Sequence, residues 1–461
     1  MTVNLDILYK ILAIGYYNGE RRRIYHHLIK TYLQNPSDNF DINAEMDNLS
    51  MEITKDNMIS DLFLSFDSMI TSGLAPEKFL DYIKERYGPY EDTFQKRYGI
   101  PLSGFIYIAF ELLFYVRKKI KGTIPIYQFQ SKEEYADIKF IAYPSQEYIN
   151  SFREAFTVDV EEFKTNLIDI GKPFIKKFIE LYSFDIERVN KETDFRIKEY
   201  PLLYHNQSLI LVDPSVYLRY IPHKIHLLLN GSKNYDAKKG KIFEKIALDL
   251  IEEVPYSNLE QRNLKYDGYE LDGLLNLRRS TWFIECKSRN ISTGSLKGEE
   301  KKISKDVERA IEDSIDQGKR AIDHRQSPEI SKFKIKRITG IIIILEGIFP
   351  NIRLPKIMGP NPIDDCPYPV CVFNYFELKK ILEQPDAHLF EEFLIWRSQS
   401  DMPIYAFDEC DYWAFYNDNY RKNKEMKEAF RLAQEKHIVS TYISARFNKK
   451  SYLAKIAGLN K

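Results

Sequence analysis

Trp282-Phe283-Ile284-Glu285-Cys286-Lys287 places two charges at the end of an apolar run. Side chains alternate across a strand, so Trp282, Ile284 and Cys286 share one face and Phe283, Glu285 and Lys287 share the other. Burying a carboxylate and an ammonium there is expensive unless they pair or bind a metal. The preceding segment puts Glu270 and Asp272 on a common face by the same alternation. A short turn around Arg278-Arg279-Ser280 suggests a hairpin that brings Asp272 near Glu285. Two carboxylates held close repel each other. A divalent cation relieves that repulsion, and hard oxygen donors suit Mg²⁺, with Mn²⁺ as a substitute. The chemistry such a centre performs is phosphodiester hydrolysis, because the metal stabilises charge on the phosphate and lowers the pKa of a bound water. Lys287 is then expected to position the water or stabilise the developing charge, with a role as base second to this.

The elements that must hold these groups follow from periodicity. A helix is expected from about 236 to 253, with Asp236 as its N-cap and Phe243, Ile246, Ala247 and Leu250 as its apolar stripe. Strands follow at about 268–277 and 281–287. A long helix covers about 300–324, with the stripe Ile303, Val307, Ala310, Ile311, Ser314, Ala321 and Ile322. Ile338 to Leu345 is a continuous apolar run interrupted by Thr339 and Gly340, as suits a strand covered on both faces. A further strand is expected at about 368–373, and Asn374-x-x-Glu377 resembles a capping box for the helix after it. The class is α/β with a mixed sheet flanked by helices.

In this order the residues resemble the PD-(D/E)xK superfamily, the restriction-endonuclease-like nucleases. That family has an acid on the first core helix, an Asp on a following strand and a Glu-x-Lys pair on the strand after it. Here Gly240-Lys241-Ile242-Phe243-Glu244 supplies the helix acid, Glu270-Leu271-Asp272-Gly273 the Asp, and Ile284-Glu285-Cys286-Lys287-Ser288 the pair. Leu271 stands where the family name has Pro. The resemblance covers about 231–400. It implies a restriction-endonuclease-like fold and a Mg²⁺-dependent endonuclease that cuts DNA and leaves a 5′-phosphate. Asp272 and Glu285 would bind metal, with the Cys286 carbonyl as a further ligand, and Glu244 would help through metal or water. Gln317, in the following helix, stands where similar nucleases often carry a Gln facing the site. Restriction or phage defence in a prokaryote is the role that analogy suggests.

Glu-x-Lys alone carries little information: it recurs at Glu162-Phe163-Lys164, Glu377-Leu378-Lys379 and Glu425-Met426-Lys427, all in expected helices. Only the copy at Glu285 ends an apolar strand behind an acid-bearing strand and a helix acid. The competing readings are a structural ion-pair cluster for Asp272, Glu285 and Lys287, a solvated carboxylate for Glu244 and an ordinary polar residue for Gln317. At the level of the whole protein, the alternatives are an inactive nucleic-acid-binding or assembly module and an RNA nuclease. His223-x-x-His226 lacks a third ligand and is not read as a zinc site. The clusters Arg21-Arg22-Arg23, Lys238-Lys239-Lys241, Lys301-Lys302-Lys305 and Lys332-Lys334-Lys336-Arg337 are solvated faces by default, and those flanking the site are candidates for phosphate contacts. No P-loop is present, so any ATP-driven step would need a partner protein.

Composition sets wider bounds. Over 461 residues, Lys plus Arg equals Asp plus Glu at 67 each, so net charge gives no support for nucleic-acid binding. The four cysteines, Cys286, Cys366, Cys371 and Cys410, suggest neither a disulfide framework nor a zinc site, which fits a reducing, cytoplasmic compartment. The N-terminus does not read as a signal peptide. Ile100 to Val116 is apolar apart from Ser103 and Glu111, but it falls short of the ~20 residues a membrane span needs and reads as a buried core helix. Residues 1–195 read as a mostly helical region, 196–230 as a connecting strand and helix segment, 231–400 as the nuclease-like domain and 401–461 as a mainly helical extension. A homo-oligomer is expected by analogy with double-strand cutters.

Overall fold

In the computed structural model the described residues are 3–17, 28–29, 31–42, 44–45, 76–123, 145–168, 171–188, 200–212, 214–288, 300–346, 363, 365–399, 402, 404–406, 409–436 and 440–442. The basic cluster at 21–23 and the side chains of Ile303 and Val307 lie outside them. The chain forms two compact units, 1–237 and 238–461.

The first unit is built on helices, of which Leu102–Thr123 is the longest. Phe105, Ile108, Ala109, Leu112, Leu113 and Val116 on that helix are fully buried, which makes it a core helix. Among the described residues no single helix is long and apolar enough to cross a membrane. The unit also contains a four-stranded sheet. Strands at Thr157–Asp159 and Ser183–Asp185, within the stretch expected to be helical, pair with Ser208–Leu211 and Leu202–His205 respectively. Strands of three residues are too short to show an alternation. His226 Nδ1 bonds the Tyr235 hydroxyl at 2.7 Å, which gives this histidine a structural partner.

The second unit is a mixed α/β arrangement. Helix α1 (Lys233–Glu252), whose first residues fall in the first unit, is followed by strands β1 (Asn258–Tyr266), β2 (Tyr269–Asn276) and β3 (Ser280–Lys287). The α1 helix starts earlier than expected. Ser232 Oγ, not Asp236, accepts from a backbone N–H of the first turn, that of Tyr235 at 3.4 Å. Helices α2 (Glu300–Val307) and α3 (Asp313–Asp323) follow, joined by a π-helical turn over Glu308–Glu312. Strand β4 (Ile338–Leu345), strand β5 (Val370–Asn374) and helix α4 (Tyr375–Leu382) complete the core. The expected capping box on α4 is present, with Asn374 and Glu377 bonding reciprocally.

The sheet runs β1-β2-β3-β4-β5. The first three strands are antiparallel, and β4 and β5 run parallel to β3. Ile341 to Leu345 on β4 are fully buried or nearly so, as expected of a strand covered on both faces. Phe283 of β3 shares a core with Ala310, Ile311, Ile315 and Ile322 of the helical segment and with Ile341 and Ile343 of β4. That core fixes the face of β3 on which Glu285 and Lys287 lie.

Two glycines bring the flanking helices close. A Cβ on Gly273 would stand 2.8 Å from Leu248 of α1, and one on Gly318 would meet three atoms of Ile341 at 2.8 Å. Gly273 adjoins Asp272 and Gly318 adjoins Gln317, so the tight approaches occur beside candidate site residues. Gly318→Ala is expected to destabilise the unit by about 1–3 kcal/mol through overpacking, read as a lower midpoint in chemical denaturation. An unchanged midpoint would mean that Ile341 can move aside at no cost.

Candidate active site

The β2–β3 ladder runs from Asn276↔Thr281 to Gly273↔Ile284, and the next rung would pair Asp272 with Glu285. A side chain replaces that rung: Asp272 Oδ2 accepts the Cys286 backbone N–H at 2.7 Å. The hairpin register therefore places Asp272 beside Glu285, and the strands begin to part at the acids. Lys287 Nζ donates to Glu285 Oε2 at 2.9 Å and to Gln317 Oε1 at 2.8 Å. Lys287, at the end of β3, is held to β4 through the Glu346 N–H, which donates to its carbonyl at 3.0 Å, while the Ser288 hydroxyl bonds the Glu346 carboxylate.

Glu285 is 1% exposed, and its Oε1 has no hydrogen-bond partner among the described residues. Burial, then the charge of Asp272, pushes its carboxyl up to about 8, against the pull of Lys287. Glu244, on α1, is pushed up to about 7 by burial and by the charges of Asp272 and Glu270, with Lys241 and the Asn263 side chain opposing. The Asp272 carboxyl is also raised, chiefly by burial, while the Cys286 N–H and Lys287 act to lower it. Elements far apart in sequence thus bring three carboxylates into mutual electrostatic reach, each with its ionisation suppressed. The Cys286 thiol is buried and pushed well above its usual range by burial and the surrounding acids, which disfavours its thiolate.

Among the described residues no three His, Cys, Asp or Glu side chains form a ready-made metal cage. Asp272 is turned to the Cys286 amide, and Glu285 is neutralised on one oxygen by Lys287. The contact that the structure gives Cys286 is through its N–H, not through the carbonyl expected as a ligand. The basic cluster at 332–337 also stands away from the acids. It leads into the start of β4, which pairs with Ser280, whereas the acids lie at the far end beside Lys287↔Leu345. At about 3.3 Å per residue, the two ends of an eight-residue strand are roughly 23 Å apart.

Asn263 did not stand out in the sequence. It lies on β1 between the pairs Arg262↔Gly273 and Leu264↔Leu271, directly across from Asp272. Its φ is +50°, a left-handed conformation that Asn tolerates better than most residues. Its side chain acts to lower the Glu244 carboxyl. A non-glycine residue held in this backbone region inside a strand, beside three acids, marks the kind of local strain found at functional sites.

Compared with known proteins, the chain matches no family model, no curated protein and no solved structure.

Proposed function

We propose that the second unit is a metal-dependent phosphodiesterase of the PD-(D/E)xK type, an endonuclease acting on DNA. The observation that carries this reading is the Glu285 carboxylate: almost fully buried, with one oxygen on Lys287 and the other without a partner among the described residues, beside two more carboxylates that make its charge costlier. A structural ion pair gains nothing from an unpartnered oxygen or from acidic neighbours. A hard divalent cation gains from both, and the donor set fits Mg²⁺ or Mn²⁺. Asp272 and Glu285 would hold the ion, with the Cys286 carbonyl as a further donor and Glu244 acting on it directly or through water. When bound, the ion supplies charge stabilisation for the phosphate and a water of lowered pKa.

The chain's own residues do the rest. Lys287, fixed between Glu285 and Gln317, places its ammonium where negative charge develops as the phosphodiester is attacked. Glu244, whose charged form Asn263 favours, orients the attacking water through its carboxylate. Ile284, Leu271 and Phe283 give the acids a dry, rigid base, which strengthens each electrostatic contact. The acids touch phosphate and water, so DNA rather than RNA is an expectation from the family resemblance.

Calorimetric titration of the full chain with Mn²⁺ tests the metal site apart from turnover. Wild type is expected to bind, and Asp272→Asn to lose at least tenfold in affinity, the lower end of the cost of disturbing a metal site's supporting groups. Equal binding by the two proteins, or none by wild type, would remove the metal from this reading.

A further inference from the structure

The outer flank of α3 carries a second feature. Gln317, Arg320 and His324 follow at helical spacing along one side of α3 and its end. Gln317 holds Lys287. His324 Nδ1 bonds Asp267 Oδ2 at 2.7 Å, at the tip of the β1–β2 hairpin. Between them the Arg320 guanidinium lies 4.4 Å from the ring centroid of Tyr269, which is 43% exposed.

A structural arginine is normally tied to a carboxylate. Asp316, four residues earlier on the same helix, has the spacing for such a pair, yet Arg320 makes no ion pair among the described residues. Its guanidinium rests on Tyr269 instead. Stacking fixes the plane of the cation and leaves its N–H edges available to an oxyanion. Arg320 stands one turn along α3 from Gln317, which holds Lys287 beside Glu285. Electrostatics supplies the need for such a group. Once ionised, the acids of the site repel an incoming phosphodiester, and Lys287 is already committed to Glu285 and Gln317.

We infer that Arg320, presented on Tyr269, binds a non-scissile phosphate of a nucleic-acid substrate and seats the strand against the acidic site. This rests on the nucleic-acid hydrolase reading and names a substrate contact for it.

The test is fluorescence anisotropy with the full chain in EDTA, which keeps the probe intact. The probes are a fluorescein-labelled DNA duplex and a single-stranded RNA of the same sequence, across about 50–200 mM salt. Arg320→Ala is expected to weaken binding to the preferred probe by about tenfold at low salt. It should also flatten the plot of log affinity against log salt by about 0.9 for duplex or about 0.7 for a single strand, one phosphate contact. Arg320→Lys should recover the slope but not the full affinity, since it keeps the charge and loses the stacked fork. Lys336→Ala, at the opposite end of the sheet, should leave the slope unaltered. An unchanged slope in Arg320→Ala, an equal loss in Lys336→Ala, or no binding of either probe by wild type would overturn the inference. The two readings fail separately. Arg320-dependent binding without metal-dependent cleavage keeps the phosphate contact and defeats the hydrolase. Cleavage with Arg320-independent binding does the reverse.

Discussion

Replacing Lys287 by alanine is expected to lower turnover of a phosphodiester substrate by about 10²–10⁴-fold, the range for a positioned group acting in the transition state. The loss should fall on kcat far more than on KM, because the ammonium is directed at charge that develops during reaction and not at the bound ground state. Its position is defined by two acceptors, Glu285 Oε2 at 2.9 Å and Gln317 Oε1 at 2.8 Å. Lys287→Arg should not restore activity, since a broad planar fork does not fit a site built around a point charge. Gln317→Leu should cost less than Lys287→Ala, because it removes one of the two tethers and leaves the ammonium in place. Steady-state kinetics on the three variants checks the order. A Lys287→Ala enzyme with wild-type kcat would remove the lysine from the chemistry.

Glu285→Gln is expected to stabilise the protein in the absence of divalent cations, and to do so only at high pH. The folded carboxyl is pushed up to about 8 from an ordinary 4.5, so between those values the folded state holds a proton that the unfolded chain has released. The folded state binds more protons, and stability therefore falls as pH rises through this window. A shift of this size corresponds to a penalty on the order of 5 kcal/mol, fully present above pH of about 8 and absent below about 4.5. Glutamine keeps an oxygen for Lys287 and carries no charge to desolvate. The thermal transition of the unit that contains it should rise on the order of 10 °C at pH 8.5 and hardly move at pH 5. Adding Mn²⁺ at pH 8.5 should stabilise wild type and not the variant, because the cation binds the ionised form. Parallel pH profiles for the two proteins would show that Glu285 carries no such penalty.

How far the site was legible in the sequence depends on the range of each contact. The pairing of Asp272 with Glu285 was readable because a short turn joins two strands with clean alternation, so register follows from counting. Lys287 and Glu285 share a face for the same reason. Strand β1 was not legible. Asn258–Tyr266 is an edge strand in which only Leu264 and Tyr266 are buried, and it carries an irregularity between Leu259 and Gln261. Its apolar alternation is therefore nearly absent. Asn263 was hidden with it, since its role depends on a backbone twist and not on its type. The expected helix at 300–324 is present in outline, but the π-helical turn at Glu308–Glu312 resets its phase, which a single 3.6-residue period does not reveal. The stacking of Arg320 on Tyr269 joins a helix to a hairpin 51 positions earlier, a relation that no local pattern encodes.

The most direct test is incubation of supercoiled plasmid, and separately of RNA, with the purified full chain in Mg²⁺ or Mn²⁺, set against EDTA and an Asp272→Asn variant. Nicking or linearisation of the plasmid that needs the metal, leaves 5′-phosphate ends and disappears in the variant is the expected result. Cleavage of RNA alone would keep the site and change the substrate. No cleavage of either, together with Mn²⁺ binding that ignores Asp272, would contradict a metal-dependent phosphodiesterase and leave the buried acids as a structural cluster.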